Sequence, residues 1–108
     1  FGRENLIKYN KAIRDKIPEI IAESGKKYNL KQLDEESFLA EIEKKLIEEV
    51  NEYSKSKDVE ELADLLEVIY RISELRGVSS DELDKIRIDK AEKRGKFASN
   101  LFLIDAEK

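Results

Sequence analysis

The sequence predicts an all-α fold of about four helices with an antiparallel central pair. Three observations point there. Glu, Lys, Ile and Leu dominate a composition that is 43% charged and 40% hydrophobic, a mixture typical of helices with large solvated surfaces. Four glycines and one proline in 108 residues leave few turns, which favours long helices joined by short loops over a many-stranded sheet. Apolar residues also recur at helical spacing between capping residues. The length suits one domain spanning residues 1–108, large enough for a modest core. No repeat, low-complexity tract or linker divides it.

Residues 1–13 carry few strong signals, although LIKY, 6–9, reads as extended. A first helix is expected from near Asp15, with Pro18 tolerated in its first turn and Gly25 as terminator. YNLKQL, 28–33, reads as an extended connector. Asp34 then opens a long helix to about Ser54, whose stripe is Phe38, Leu39, Ile42, Leu46, Val50 and Tyr53. SKSKD is a turn. Asp58 caps the next helix with Glu61 at the reciprocal capping-box position, and apolar residues from Val59 to Leu75 sustain it until Gly77. Ser79 and Glu82 form a second capping box for a helix ending near Arg94, before Gly95. The tail, with Phe97 and then LFLI at 101–104, is a candidate short strand.

The chain has no Cys and no His. This excludes a disulfide framework, zinc-thiolate clusters, a Cys nucleophile and histidine acid–base chemistry. Any chemistry must run on carboxylates, bases, hydroxyls and a hard metal. The net charge of −4 argues against stable nucleic-acid binding. No apolar run reaches the roughly 18 residues of a membrane span, and no signal-peptide pattern opens the chain. A soluble, cytoplasmic protein is expected.

The acids lie beside the apolar stripes. With residues 100° apart, Leu39, Ile42, Leu46, Val50 and Tyr53 fall within about 40° of one direction, while Glu49 lies about 60° to one side. Glu52 and then Glu48 follow farther round that flank. In the next helix Leu62, Leu66 and Ile69 share a line, and the polar arc holds only Glu60, Glu67, Arg71 and Glu74. Glu61 and Asp64 fall outside it, on the line of Val68 and Leu75, so partial burial is expected. No base occurs between Lys57 and Arg71, and adjacent like charges on a helix repel by a few tenths of a kcal/mol or more.

A short turn would bring Glu49 and Glu52 towards Glu61 and Asp64. Four carboxylates spaced i, i+3 on facing helices make an all-oxygen cage suited to Mg²⁺ or Mn²⁺, which in turn suits phosphate chemistry. Each acid has a plainer reading. Glu48 and Glu49 follow Lys44 and Lys45 by four residues, and Glu61 can serve the Asp58 cap. Asp64 is a poor mid-helix residue with no base within one turn.

The pair EEVNE, 48–52, and ELAD, 61–64, resembles the EExxE and ExxD motifs of the MazG-like all-α nucleoside triphosphate pyrophosphohydrolases. YNKAIRDKIPEII, ELADLLEVI and KAEKRGKF, in that order, look like the phosphoribosyl-ATP pyrophosphohydrolase-like subgroup, so that similarity runs from about Tyr9 to Leu103. The resemblance implies an oligomeric helical protein, a homodimer or homotetramer, that cleaves an NTP or dNTP between its α and β phosphates with Mg²⁺. It further implies that Glu49, Glu52, Glu61 and Asp64 hold metal and that Glu48 orients or deprotonates the attacking water. Eight residues separate Glu52 from Glu61, fewer than in many such proteins, which tightens the hairpin and bears on substrate preference.

Candidate phosphate-holding bases are Lys90, Lys93 and Arg94 near the end of the last helix, and Arg14 and Lys16 ahead of the first. Helix-end bases also complement the helix dipole without any ligand. Phe38, Tyr53, Tyr70 and Phe97 are candidate base-stacking residues or core. Two alternatives stand beside this reading: a phosphoribosyl-ATP pyrophosphohydrolase of histidine biosynthesis, and a non-catalytic helical interaction module.

Overall fold

The computed structural model describes residues 6–108, which form four helices and no strand: α1 (Ile17–Glu23), α2 (Glu35–Ser56), α3 (Val59–Leu75) and α4 (Ser80–Arg94). The fold is all-α. α1 starts two residues later than the sequence suggests. Asp15 and Lys16 form a turn, and Lys16 at the N-cap makes no side-chain bond to the free N–H groups.

The Asp34 carboxylate accepts a hydrogen bond from the Ser37 N–H at 2.7 Å and opens α2. That helix runs two residues beyond Ser54, because the left-handed turn comes at Lys57 (φ 59°), whose N–H donates to the Tyr53 carbonyl. Asp58 caps α3 by accepting from the Glu60 N–H at 3.1 Å. The expected capping box is not made: the Asp58 N–H donates to Ser56 Oγ at 3.1 Å, which leaves the Glu61 carboxylate for other neighbours. Ser79 caps α4 by accepting from the Glu82 N–H, but the Glu82 carboxylate accepts from the Ser79 hydroxyl and not from its backbone N–H, so this box too is made only on one side.

α2 and α3 are antiparallel neighbours. Arg76 at the C-terminal end of α3 donates to Glu43 Oε2 early in α2 at 2.7 Å, so the residues flanking the 57–58 turn meet at the other end. α4 touches α3 near their own turn, where Tyr70 Oη donates to Asp84 Oδ1 at 3.2 Å and Ser73 Oγ donates to the Val78 carbonyl at 2.7 Å. α1 packs on none of the other helices.

Burial is sparse. Among the described residues, Ala12, Ile42 and Val68 are the buried apolar ones, with Phe38, Leu39, Leu46, Ile72 and Leu75 partly buried around them. The accessible surface is 10269 Å², well above the roughly 6,200 Å² of a compact 12.6 kDa monomer. The radius of gyration is 18.9 Å, against about 13 Å for a compact chain of this length. On α3 the line Leu62, Leu66 and Ile69 faces solvent, as does Val50 of the α2 stripe. The tail forms no strand: Phe97 and Leu101–Ile104 are almost fully exposed and have no backbone edge to pair with among the described residues. LIKY likewise forms no strand. No described helix is long and apolar enough to cross a membrane.

Candidate metal centre

The hairpin brings the acidic motifs together. Glu48, Glu49 and Glu52 on α2 present carboxylate oxygens that all lie within 4.8 Å of one another, and so do Glu49, Glu61 and Asp64 across the two helices. Glu49 belongs to both groups. It is 6% exposed, deeper than its position 60° off the stripe suggests, because α3 closes over that flank. Glu61 and Asp64 are half-buried, Glu48 is half-buried and Glu52 is exposed.

Glu49 Oε1 lies 3.7 Å from Lys45 Nζ, while its Oε2 is inaccessible and has no hydrogen-bond partner. Glu61 Oε2 is in the same condition. A buried carboxylate oxygen without a partner carries a desolvation penalty of about 1–3 kcal/mol or more, which a bound proton or a compensating charge relieves. Burial, with Glu52 next and then Lys45 opposing, pushes the Glu49 carboxyl above its ordinary range. Burial first, then the Glu52 carboxylate, with Asp64 and Glu49 adding, pushes Glu61 up to about 7.

Two bases reach the cluster from the chain ahead of α1. Lys11 Nζ donates to Glu48 Oε1 at 2.9 Å, and Arg14 Nη2 donates to Asp64 Oδ1 at 2.6 Å. The Lys11 hydrogen bond holds the Glu48 carboxyl below its usual range, and the same bond raises Lys11. Arg14 was legible in the sequence as a phosphate candidate; Lys11 was not, because it lies in a segment without periodicity. The ion pair of Lys45 with Glu49 shows that the plainer reading of that glutamate is partly realised, whereas Lys44 pairs with Glu41 rather than Glu48.

Three bases, Lys11, Arg14 and Lys45, thus stand against five carboxyl groups. The positive charge does not match the negative. Lys16, Lys90, Lys93 and Arg94 are exposed, and among the described residues none of them pairs with an acid of the cluster. Phe38 packs on the core and lies 5.9 Å from the Arg71 guanidinium, Tyr70 is held by Asp84, and Phe97 is solvated.

No family model, curated protein or solved structure matches this chain. Support for a function therefore comes from the geometry. Opposite oxygens around Mg²⁺ lie about 4.2 Å apart and around Ca²⁺ about 4.8 Å apart, from their usual bond lengths. Oxygens gathered within 4.8 Å of one another can reach a common hard cation with small side-chain movements, and an all-oxygen donor set suits Mg²⁺ or Mn²⁺ over softer metals.

Proposed function

We propose that the chain is a Mg²⁺-dependent nucleotide pyrophosphohydrolase, cleaving an NTP or dNTP between the α and β phosphates to NMP and pyrophosphate, in removal of unwanted nucleotides. The observation that carries this reading is that Glu49, whose Oε2 is buried and unpartnered, presents a carboxylate oxygen within 4.8 Å of those of Glu61 and Asp64 across the hairpin. Glu49, Glu52, Glu61 and Asp64 would hold the cation. When bound, Mg²⁺ neutralises phosphate oxygens and stabilises departing pyrophosphate.

Glu48 sits at the edge of the cluster, ionised at neutral pH under the influence of Lys11. In this reading it would accept the proton of a water that attacks the α phosphorus, as the bond to the bridging oxygen breaks. Its lowered basicity makes orientation of that water the larger part of its role.

A homo-oligomer, dimer or tetramer, accompanies this function. The excess surface, the exposed Leu62–Leu66–Ile69 line and the apolar tail leave more hydrophobic area uncovered than a monomer normally tolerates. The alternative of a phosphoribosyl-ATP pyrophosphohydrolase shares the cleavage and differs in substrate. The ion pairs of Lys11, Arg14 and Lys45, which offset part of the acidic charge without a metal, favour a third reading, a non-catalytic helical interaction module.

A pyrophosphate-release screen across NTPs, dNTPs, modified nucleotides and phosphoribosyl-ATP, with Mg²⁺ and with Glu49→Gln as control, separates the three. Release from nucleoside triphosphates that Glu49→Gln abolishes supports the proposal. Release from phosphoribosyl-ATP alone moves the assignment to the second reading, and no release from any substrate supports the third.

A further inference from the structure

Lys11 and Arg14 are three positions apart, on irregular chain that spans at most about 10 Å, close to the 8–10 Å between packed helices. One reaches Glu48 on α2 and the other Asp64 on α3. Between them Ala12 is 7% exposed and packs with Ile42 and Val68. The segment therefore lies across the hairpin like a strap, with one small apolar peg and a cation on either side of it.

Its hold is by side chains. Among the described residues, no backbone hydrogen bond joins Lys11–Arg14 to α2 or α3, and the Arg14 carbonyl is engaged only by the Ile17 N–H at the start of α1. Both ion pairs are substantially exposed, which makes them weak and exchangeable. Ammonium and guanidinium groups bind phosphate oxygens as well as carboxylates.

A cluster of carboxylates repels a polyphosphate, so a nucleotide needs positive side chains next to the cation. The bases of α4 make no contact with the cluster, whereas Lys11 and Arg14 are already there. We propose that residues 11–14 are a displaceable cationic strap: Lys11 and Arg14 act as internal counter-ions on Glu48 and Asp64, and pass to the substrate's phosphate chain when a divalent cation takes Asp64 and its neighbours and Glu48 turns to the attacking water. This deepens the metal-site reading above and rests on it.

The strap predicts effects of opposite sign. Removing a competing positive charge should tighten binding of the cation alone, while removing a phosphate partner should weaken nucleotide binding. A strap that merely supports the fold, or that orients Asp64 as a ligand, would weaken both.

The test is Mn²⁺ binding, followed by the electron paramagnetic resonance of the free ion, in wild type, Arg14→Ala and Lys11→Ala. It is paired with calorimetry of a non-hydrolysable α,β-imido dNTP at saturating Mg²⁺. The expected result is Mn²⁺ affinity about five-fold higher in each variant and nucleotide affinity at least about five-fold lower. Weaker or unchanged Mn²⁺ affinity, or unchanged nucleotide affinity, in both variants overturns the strap while wild-type uptake keeps the metal site. A wild type that takes up no Mn²⁺ overturns both.

Discussion

Arg14 and Asp64, fifty positions apart in the chain, are joined by a 2.6 Å hydrogen bond. Asp64 has no base within a turn of its own helix, and its partner comes from the irregular segment before α1. The same pattern joins Lys11 to Glu48. Local charge imbalance on α2 and α3 is thus answered partly from a distance, and the remainder is concentrated on Glu49, Glu61 and Glu52.

Glu49→Gln should raise thermal stability in metal-free buffer at pH 8. It removes a charge from a site where burial opposes ionisation, and relief of such strain at a functional position commonly yields about 0.5–2 kcal/mol. The same change should abolish the added stability that Mg²⁺ gives the wild type. Melting curves with and without Mg²⁺ check both halves; a destabilised Glu49→Gln protein would mean that the Lys45 pair outweighs the burial penalty.

Glu61 sets a pH dependence. Its folded pKa of about 7 lies above the ordinary value of 4.5, so the folded chain holds this proton more tightly than the unfolded chain. The corresponding stability is fully present below about pH 4.5 and is lost as pH rises through about 7. Urea midpoints from pH 5 to pH 8 should therefore fall more steeply in wild type than in Glu61→Gln. Because ligands bind metal deprotonated, Mg²⁺ binding should also release protons in this window, measurable as buffer-dependent heat.

Lys57 carries the hairpin turn at φ 59°, where a side chain costs about 1–2 kcal/mol relative to glycine. Its Nζ lies 5.6 Å from the Tyr53 ring, an exposed contact that contributes about 0.5 kcal/mol. The backbone term is larger, so Lys57→Gly should stabilise by about 0.5 kcal/mol or more in denaturant titration, with the acidic cluster unchanged.

Much of this hairpin was legible beforehand. Asp34, Asp58, Ser79 and Gly95 mark helix ends by chemistry acting within one turn, and the 100° geometry of α3 places Glu61 and Asp64 off the polar arc, where both are half-buried. Lys11 and Ala12 were invisible because their roles depend on tertiary contacts with α2 and α3, which no local periodicity encodes. The LFLI tail looked like a strand because its residues are strand formers, but propensity alone does not supply a neighbouring edge. Glu61 looked like a cap partner, and the nearer Ser56 hydroxyl took that place.

The exposed line on α3 gives a test of assembly. Light scattering should show a dimer or tetramer, and Leu66→Glu should shift it to monomer by placing a charge at the centre of the Leu62–Ile69 line. A monodisperse wild-type monomer would remove the oligomer from the account.

The convergence of Glu49, Glu61 and Asp64 is tested most directly by equilibrium Mg²⁺ titration calorimetry of the wild type beside Asp64→Asn. Saturable uptake by the wild type, weakened at least about ten-fold by the substitution, is the predicted result. Heats no different from dilution in both proteins would contradict it.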